Sequence, residues 1–236
     1  EVILRTTDSG IQWVVQRQKA GGTLSGVWFA APARGWCVGG GGLILGTTDG
    51  GTTWDTLASG TTTPLNAVKF FDADTGWAAV NYSTILKTTN GGATWTEYVG
   101  VGQTSRKTYD LWFITDQVGW AVGELGKIAR TTDGGKTWTS QTSGVTANLT
   151  KVVFRDTLGW AMGGPEVIVR TTDGGKTWEP QQRWSGSDLN AITFTDSLHG
   201  WVVGKGGDNP ANHERREQLV GSLPRLQPRF PCRCVL

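Results

Sequence analysis

A basic residue recurs at one position of this sequence and is the first candidate for chemistry. Arg5, Lys87, Arg130 and Arg170 each stand directly before an eight-residue motif, called the octet below, and Gly46 interrupts this basic series. Arginine can hold a carboxylate through two parallel hydrogen bonds, so the series could bind acidic groups of a partner. Alternatively, each side chain covers neighbouring apolar surface at a solvated strand end. The sequence leaves both interpretations open.

Aromatic residues outside the repeated positions give a second set of candidates. Arg183 and Trp184 lie together in a predicted connection, and an exposed pair of this kind is typical of the anchors of protein interfaces. They are therefore further partner-binding candidates. Trp28 and Trp112 fall on predicted first strands of repeat units, where core packing is the expectation.

Catalytic constellations are missing from the sequence. The tyrosines and histidines stand apart from any partner that would make them a nucleophile or a general base. A two-carboxylate glycosidase needs a pair of Asp or Glu residues across a cleft. The carboxylates outside the octets instead recur at one turn of each unit, as Asp72 or Asp74, Asp116, Asp156 and Asp196. Because a catalytic pair should break the repeat, we predict turn-forming roles for them and no catalytic residue.

Metal and cofactor sites are not expected either. One carboxylate per octet is too few for calcium, which takes roughly six to eight oxygen ligands. The Gly-Gly pairs are followed by neither a helix pattern nor a G-K-[ST] sequence, which excludes a phosphate loop. Cys232 and Cys234 alone cannot close a zinc site. Cys37 stands where other units carry Ala or Val, which predicts a small buried side chain.

The composition gives no reason to expect nucleic acid or a membrane span. The formal net charge is +2, and no long apolar run occurs. Hydrophobic residues make up 37% of the chain, alongside 35 Gly and 13 Trp. Such a chain has many tight turns, and its core must come from a few large side chains.

The octet is the strongest signal in the sequence, because it recurs in a fixed register. Its copies begin at Thr6, Thr47, Thr88, Thr131 and Thr171, with spacings of 41, 41, 43 and 40 residues. A Gly-Trp pair precedes each of the last four octets, with the tryptophan 11 residues before the octet. Two independent marks in one register show that the chain is built from repeated structural units.

Each unit divides into four short runs that have the composition of β-strands. In the unit from 65 to 99 the predicted strands are 65–71, 77–80, 84–87 and 94–99. Helical periodicity is missing before residue 210. Four strands in about 40–45 residues form one blade of a β-propeller. The sequence therefore predicts an all-β propeller of four-stranded antiparallel blades.

The octet is predicted to be the turn between the third and fourth strands of a blade. Its Asp or Asn accepts hydrogen bonds from its own turn, its second Gly suits a positive φ, and its Trp begins the fourth strand and packs inward. These positions are Asp8, Gly10, Trp13, Asp49, Gly51, Trp54, Asn90, Gly92, Trp95, Asp133, Gly135, Trp138, Asp173, Gly175 and Trp178.

Residues 1–206 are predicted to form four complete blades with half a blade at each end. The complete blades begin near Leu24, Leu65, Tyr109 and Leu149. The two halves could pair to close a five-bladed ring, but an incomplete ring from a six- or seven-bladed parent is preferred. The chain opens inside a repeat without a signal segment, which favours a fragment or a processed product.

Residues 207–236 depart from the repeat. An octet is due at position 212, where the sequence has Asn212, His213 and Glu214. If residues 207–221 are written as codons and read one nucleotide later, the free third bases allow A-T-I-L-R-T-T-N-G-G-S-N-W-S, whose octet begins at 212. The hypothesis is that this tail is frame-shifted and poorly ordered.

The octet resembles the Asp-box (BNR) repeat, [ST]-x-[DN]-x-G-x-[ST]-W. The longer unit, F-x-D-x-x-x-G-W-x-x-G ahead of I-x-R-T-T-D-G-G-x-T-W, is similar to the photosystem II assembly/stability factor family and its bacterial relatives. Phe194, Asp196, Gly200, Trp201 and Gly204 carry the first half; Ile168, Arg170 and residues 171–178 carry the second. The resemblance covers about residues 1–206.

That resemblance implies a seven-bladed, non-catalytic propeller that acts outside the cytoplasm. In phototrophs such a protein lies in the thylakoid lumen and helps assemble photosystem II by binding precursor D1. The expected partner is thus a protein such as a membrane-protein assembly intermediate, and the expected state is a monomer. Sialidases and xyloglucan hydrolases share the octet, so a glycoside hydrolase of either type is the alternative.

Overall fold

The computed structural model describes residues 1–100, 106–181 and 188–205, and these residues are almost entirely β-strands and turns. The strands are β1 (Val2–Arg5), β2 (Val14–Gln18), β3 (Leu24–Ala31), β4 (Arg34–Gly39), β5 (Ile44–Thr47), β6 (Asp55–Leu57), β7 (Leu65–Phe70), β8 (Gly76–Val80), β9 (Thr84–Thr88), β10 (Thr96–Val99), β11 (Thr108–Phe113), β12 (Gly119–Gly123), β13 (Ile128–Thr131), β14 (Thr139–Gln141), β15 (Asn148–Arg155), β16 (Leu158–Gly164), β17 (Val167–Thr171), β18 (Glu179–Pro180), β19 (Leu189–Phe194) and β20 (Gly200–Gly204). None of the described residues forms a helix with the length and hydropathy needed to cross a membrane.

The strands form sheets in chain order, each strand antiparallel to the next. The first to fourth complete blades are β3–β6, β7–β10, β11–β14 and β15–β18, and each is a four-stranded sheet. Two-stranded sheets, β1–β2 and β19–β20, stand at the two ends of the described residues. The prediction of an all-β propeller with four-stranded antiparallel blades is confirmed.

Neighbouring blades are joined by a repeated group of three aromatic rings, called the aromatic lock below. The tryptophan of the Gly-Trp pair stacks on a phenylalanine of the next blade's first strand, and that phenylalanine meets the next octet tryptophan edge-on. The stacked rings lie 3.4–3.8 Å apart and the edge-on rings 5.7–6.0 Å apart. The three complete locks are Trp36–Phe70–Trp95, Trp77–Phe113–Trp138 and Trp120–Phe154–Trp178.

A hydrogen bond fixes each lock to the backbone of the next octet. The indole Nε1 of Trp36 donates to the carbonyl of Gly91 at 3.0 Å, and that of Trp77 donates to the carbonyl of Gly134 at 2.9 Å. Both tryptophans are fully buried, with at most 1% of their surface exposed. A buried indole N–H needs such a partner, so the lock sets the register of one blade against the next.

The glycine of the Gly-Trp pair is required by the ring beside it. A Cβ built on Gly76 would lie 2.5 Å from Cδ1 of Phe70, on the neighbouring strand. Any larger residue would push the phenylalanine out of its lock with Trp36. The sequence therefore keeps Gly before Trp for a steric reason.

The two half blades do not pair with each other in this structure. β1–β2 and β19–β20 are separate sheets, so the five-bladed closure considered from the sequence is not formed. Trp13 is 60% exposed, and the described residues of its half blade supply no first-strand phenylalanine to cover it. Trp201 is 56% exposed because no next blade covers it among the described residues. The expectation that every octet tryptophan packs inward is therefore wrong for Trp13.

Candidate functional site: the octet turns and the basic series

The octet turn closes on its own aspartate. In the last octet the hydroxyl of Thr171 donates to Asp173 at 2.8 Å, and the hydroxyl of Thr177 donates to it at 2.6 Å. The backbone N–H groups of Lys176 and Thr177 donate to the same carboxylate, at 2.9 and 3.0 Å. Gly175 N–H donates to the Thr171 hydroxyl at 2.9 Å, which ties both ends of the turn together.

These hydrogen bonds hold the octet aspartates ionised. The Thr177 hydroxyl and backbone hold the pKa of the Asp173 carboxyl well below its usual range. For Asp133, burial acts in the opposite direction but is outweighed by hydrogen bonds from Thr137, so its pKa falls to about 2. The carboxylates are thus occupied by their own turns, which makes them structural groups and not free ligands.

One octet uses an amide instead of a carboxylate and keeps the same geometry. Asn90 Oδ1 accepts from the Thr88 hydroxyl at 2.9 Å and from the Thr94 N–H at 2.9 Å. Its Nδ2 donates to the Thr94 hydroxyl at 2.8 Å, so the direction of that bond is reversed relative to Asp173. In the first octet Gln12 replaces this threonine, and only its backbone N–H reaches Asp8, at 3.0 Å.

The glycine pair of the octet adopts the left-handed backbone that the turn requires. Gly50 and Gly51 have φ values of 72° and 84°, and the equivalent glycines of the other octets, including Gly10, Gly92, Gly135 and Gly175, are also positive. Ser9 takes this conformation in the first octet, with a φ of 60°. Such values cost a non-glycine residue free energy, so the Gly-Gly sequence follows from the turn.

The octet tryptophan closes the turn. It was predicted to begin the fourth strand, but that strand begins one residue later. β6 begins at Asp55 and β10 at Thr96, one residue after Trp54 and Trp95 respectively. The reason is that Thr53 and Thr94 are held in the turn by Asp49 and Asn90. Trp138 and Trp178 occupy the same place in their blades, and Trp178 is buried.

The basic series lies over the Gly-Trp tryptophans. Lys87, Arg130 and Arg170 are the direct cross-strand partners of Trp77, Trp120 and Trp160. Their cationic groups stand 5.4, 5.7 and 6.0 Å from the ring centroids, within the range of a cation–π contact. The stems therefore cover apolar surface, as one of the two interpretations has it.

Arg34 fills the gap that Gly46 leaves in the series, and sequence reasoning missed it. Gly46 is the cross-strand partner of Trp36, and the Arg34 guanidinium stands 5.3 Å from that indole ring. It also donates to the carbonyl of Gly91 in the next octet, at 3.3 Å. The sequence did contain a signal for this residue: Arg34 stands two positions before Trp36, the Gly-Trp tryptophan whose cross-strand partner is a glycine.

The donors of the series differ in what they contact. Arg5 donates to the Thr52 hydroxyl of the next octet at 2.8 Å. Lys87, Arg130 and Arg170 make no hydrogen bond or ion pair with any residue that the structure describes, and Arg130 Nε is buried without a partner. These three cations keep their donor capacity while their stems lie on tryptophan, so covering apolar surface does not preclude binding.

The other sequence candidates have the following places. The Asp72 carboxylate accepts from Asp74 N–H at 2.8 Å, and Asp196 accepts from Leu198 N–H at 2.7 Å, so both cap their own turns. Cys37 is buried, which raises the pKa of its thiol to about 12.

Arg183 and Trp184 lie outside the described residues, as do Cys232, Cys234 and the whole of 207–236. Within the described ranges no three His, Cys, Asp or Glu side chains are grouped as metal ligands would be.

The octet turns, the aromatic locks and the four-stranded sheets define an Asp-box β-propeller. The family model of the Photosynthesis system II assembly factor YCF48 matches residues 5–102 and 97–183. Since that match extends over more than half of the chain, the chain belongs to this family. A comparison with curated proteins gave no match.

Solved structures share the fold. YCF48 from Cyanidioschyzon merolae aligns with a TM-score of 0.68 and 23% identity, over 86% of this chain and 74% of that one. A structure of YCF48 bound to D1 peptide aligns at 0.47 and 18% identity, over 78% and 91% of the two chains. The GH74 xyloglucanase from Xanthomonas campestris aligns at 0.62 and 16% identity, over 82% of this chain and 35% of the enzyme. This chain thus spans about a third of the enzyme's length.

Proposed function

We propose that this chain is a non-catalytic propeller scaffold that acts outside the cytoplasm and binds a protein partner, as a photosystem II assembly factor does. The observation that carries the proposal is the family match over residues 5–183. In a phototroph the expected partner is precursor D1 or a related membrane-protein assembly intermediate. The scaffold works as a monomer in this proposal.

The basic series supports a protein partner and gives it a chemistry. Lys87, Arg130 and Arg170 stand at the same end of the third strand in successive complete blades, next to the octet turn. Each has donors that no described residue uses. A row of cations held on tryptophan faces is suited to acidic side chains or a terminal carboxylate of an extended segment, and arginine would bind them through paired hydrogen bonds.

Peptide capture tests this proposal. An immobilised D1 peptide is expected to bind the chain. The double variant Arg130→Met/Arg170→Met is expected to bind at least about a hundredfold more weakly, since each of the two lost charge-assisted bonds is worth about 1.5–3 kcal/mol. Methionine keeps an apolar stem on Trp120 and Trp160, so the melting temperature should change little. Unchanged capture would remove the basic series from the interface.

The matched control removes the same charge from the same blades. Lys136 and Lys176 are exposed residues of the fourth and fifth octets, and neither makes a cation–π contact with Trp120 or Trp160. The variant Lys136→Met/Lys176→Met should retain capture. Equal losses in both double variants would show that net charge alone decides binding, which contradicts a geometric site.

A glycosidase is the rival function, and the likeness to GH74 enzymes is one of fold. Hydrolysis of this kind needs two carboxyl groups about 5–9.5 Å apart across a cleft. A cavity of about 480 Å³ along the first strands is lined by one carboxylate, that of Asp110, among the described residues. A panel of fluorogenic glycosides, including xyloglucan oligosaccharides, separates the two functions. Turnover that is lost with a single carboxylate substitution would favour the enzyme.

The location outside the cytoplasm is part of the proposal and has its own test. It is supported by the family's role in photosystem II assembly, as the resemblance of the repeat implies. Fractionation of the source cells with an antibody to the propeller should find the protein in the lumenal, periplasmic or secreted fraction. A wholly cytoplasmic signal would contradict this part and leave the fold and family unaffected.

A further inference from the structure

The first strands of the complete blades share two apolar positions and differ from blade to blade at two others. One position is Val or Leu in every complete blade, and another is Phe. The first variable position holds Gly26, Ala67, Asp110 and Lys151 in the four blades. The second holds Trp28, Lys69, Trp112 and Val153. The propeller fold does not dictate charged residues there, since other blades do without them.

Three of these residues meet near the propeller axis. Trp28 and Trp112 belong to the first and third complete blades, and their rings meet edge-on with centroids 6.3 Å apart. The Lys69 ammonium, from the blade between them, lies 4.1 and 4.7 Å from the two ring centroids. Trp28 Nε1 donates to the Phe70 carbonyl at 2.8 Å, which fixes its orientation. Side chains of three blades can meet in this way only where first strands converge.

A cavity of about 480 Å³ adjoins this cluster and is called the axial cavity below. Its polar lining comes from Ser25, Asn66, Lys69, Asp110 and Lys151, and the remaining walls are mostly Val, Leu, Ile, Ala and Gly. Ligand pockets commonly have volumes of roughly 300–1,000 Å³, with apolar walls and a few converging polar groups. The axial cavity has both properties.

The charges of the cavity act on one another without forming a close ion pair, since Lys151 and Lys69 both lower the pKa of the Asp110 carboxyl. Asp110 is 5% exposed, and one of its carboxylate oxygens accepts from Val152 N–H at 3.1 Å. None of the described residues forms an ion pair with it. Lys69 and Lys151 likewise make no hydrogen bond or ion pair with any described residue. Among the described residues two cations face one carboxylate, an excess of one positive charge. Burial raises the pKa of the Asp110 carboxyl and lowers that of the Lys69 ammonium.

We propose that the axial cavity binds the carboxylate of a ligand, with Lys151 and Lys69 as its cationic partners and Asp110 disfavouring dianions. A single negative charge matches the excess of one cation, whereas a phosphate or sulfate dianion would leave an uncompensated negative charge in a buried site beside Asp110. The carboxylate belongs to a small organic acid or to an acidic side chain of a bound polypeptide. This site lies apart from the basic series and does not depend on it.

Fluorine NMR of the full chain labelled with 5-fluorotryptophan tests the proposal, because Trp28 and Trp112 report directly on Lys69. Acetate and sulfate are titrated first, and the two resonances are assigned by Trp28→Phe and Trp112→Phe. A peptide with one Glu, and the same peptide with Gln, then distinguish a polypeptide source from a small acid. We expect acetate to shift both resonances, sulfate to bind more weakly, and the Glu peptide to outcompete acetate only if the source is a polypeptide.

Two variants with opposite expected signs make the result decisive. Lys151→Met should weaken acetate binding about tenfold, the effect of losing one charge-assisted hydrogen bond. Asp110→Asn should strengthen it, since the amide oxygen can still accept from Val152 N–H while the repulsive charge is gone. Lys176→Met, in an exposed octet, is the control and should change nothing. The other tryptophan resonances show in each case that the chain is folded.

Several results would overturn the proposal. The first is that the resonances of Trp28 and Trp112 do not respond to acetate. The second is that Lys176→Met lowers the acetate affinity as much as Lys151→Met does. The third is that Asp110→Asn binds acetate more weakly. The variant Arg130→Met/Arg170→Met should bind acetate normally even where it loses the D1 peptide. Failure of the basic series and failure of the axial cavity are therefore distinguishable.

Discussion

Replacing Phe70 by leucine tests the aromatic lock, the ring contact that recurs between neighbouring blades. Phe70 stacks on Trp36 with centroids 3.4 Å apart and meets Trp95 edge-on at 5.9 Å. Aromatic pairs contribute about 0.5–1.5 kcal/mol each beyond their buried area, so losing two costs about 1–3 kcal/mol. Leucine fills most of the volume, which keeps the added packing cost below about 1.5 kcal/mol.

The ends of the molecule supply matched controls for this variant. Phe29 has the edge-on contact with Trp54, and Phe194 has the stacked contact with Trp160, each without the other half of a lock among the described residues. Phe29→Leu and Phe194→Leu should each cost about half as much as Phe70→Leu. The sum of the two single-contact losses should approach the loss at Phe70, since distant sites contribute additively within about 0.5 kcal/mol.

Urea unfolding followed by circular dichroism measures these differences. A change of 1 kcal/mol corresponds to about 2–4 °C in melting temperature for a chain of this size, so the lost ring contacts alone should make Phe70→Leu melt roughly 2–12 °C lower. Equal slopes of the unfolding curves would show that stability, and not compactness, has changed. A loss at Phe70 no larger than that at Phe29 would refute the lock, because stacking on Trp36 would then contribute nothing.

Further predictions concern single positions. Because the pKa of Asp133 is about 2 in the folded chain and near 4 when unfolded, its contribution to stability is complete above about pH 4 and is lost as the pH falls towards 2. Asp133→Asn should flatten the dependence of the urea midpoint on pH over that window, whereas Asn90→Asp should steepen it; unchanged profiles would contradict the assignment. Gly76→Ala should destabilise by about 1–3 kcal/mol through its clash with the Phe70 ring, and a neutral effect in thermal melts would show that the ring can move. In the background Cys232→Ser/Cys234→Ser, the Cys37 thiol should resist 5,5′-dithiobis(2-nitrobenzoate) at pH 8 until urea unfolds the chain, and rapid labelling of the native variant would disprove its burial.

The fold followed from the sequence because a propeller repeats its local signals. The octet, the Gly-Trp pair and the strand composition depend on residues close together in the chain, such as the hydroxyl of Thr171 and the carboxylate of Asp173 two residues later. Five copies in one register made each local signal stronger than it is alone.

The lock between blades could not be derived in the same way. Trp36 and Phe70 were recognisable as repeated residues, but their contact joins different blades and depends on how the sheets pack. The positions of the basic series could be read from the sequence, but the contacts of its side chains could not. Arg34, which lies on a different strand, takes the place of the basic residue that Gly46 replaces. The cluster of Trp28, Lys69 and Trp112 was beyond prediction, because these residues do not repeat and meet only through the arrangement of three blades.

Each aromatic lock joins one blade to its successor and to no other, which has a consequence for how such genes can change. A duplication or deletion of one whole unit recreates the same junction on both sides, whereas a duplication of half a unit leaves Gly-Trp without its phenylalanine. Selection on stability alone would then let the number of units vary while holding their boundaries fixed. Chains that differ by entire blades are thus closer neighbours in evolution than chains that differ by a few strands.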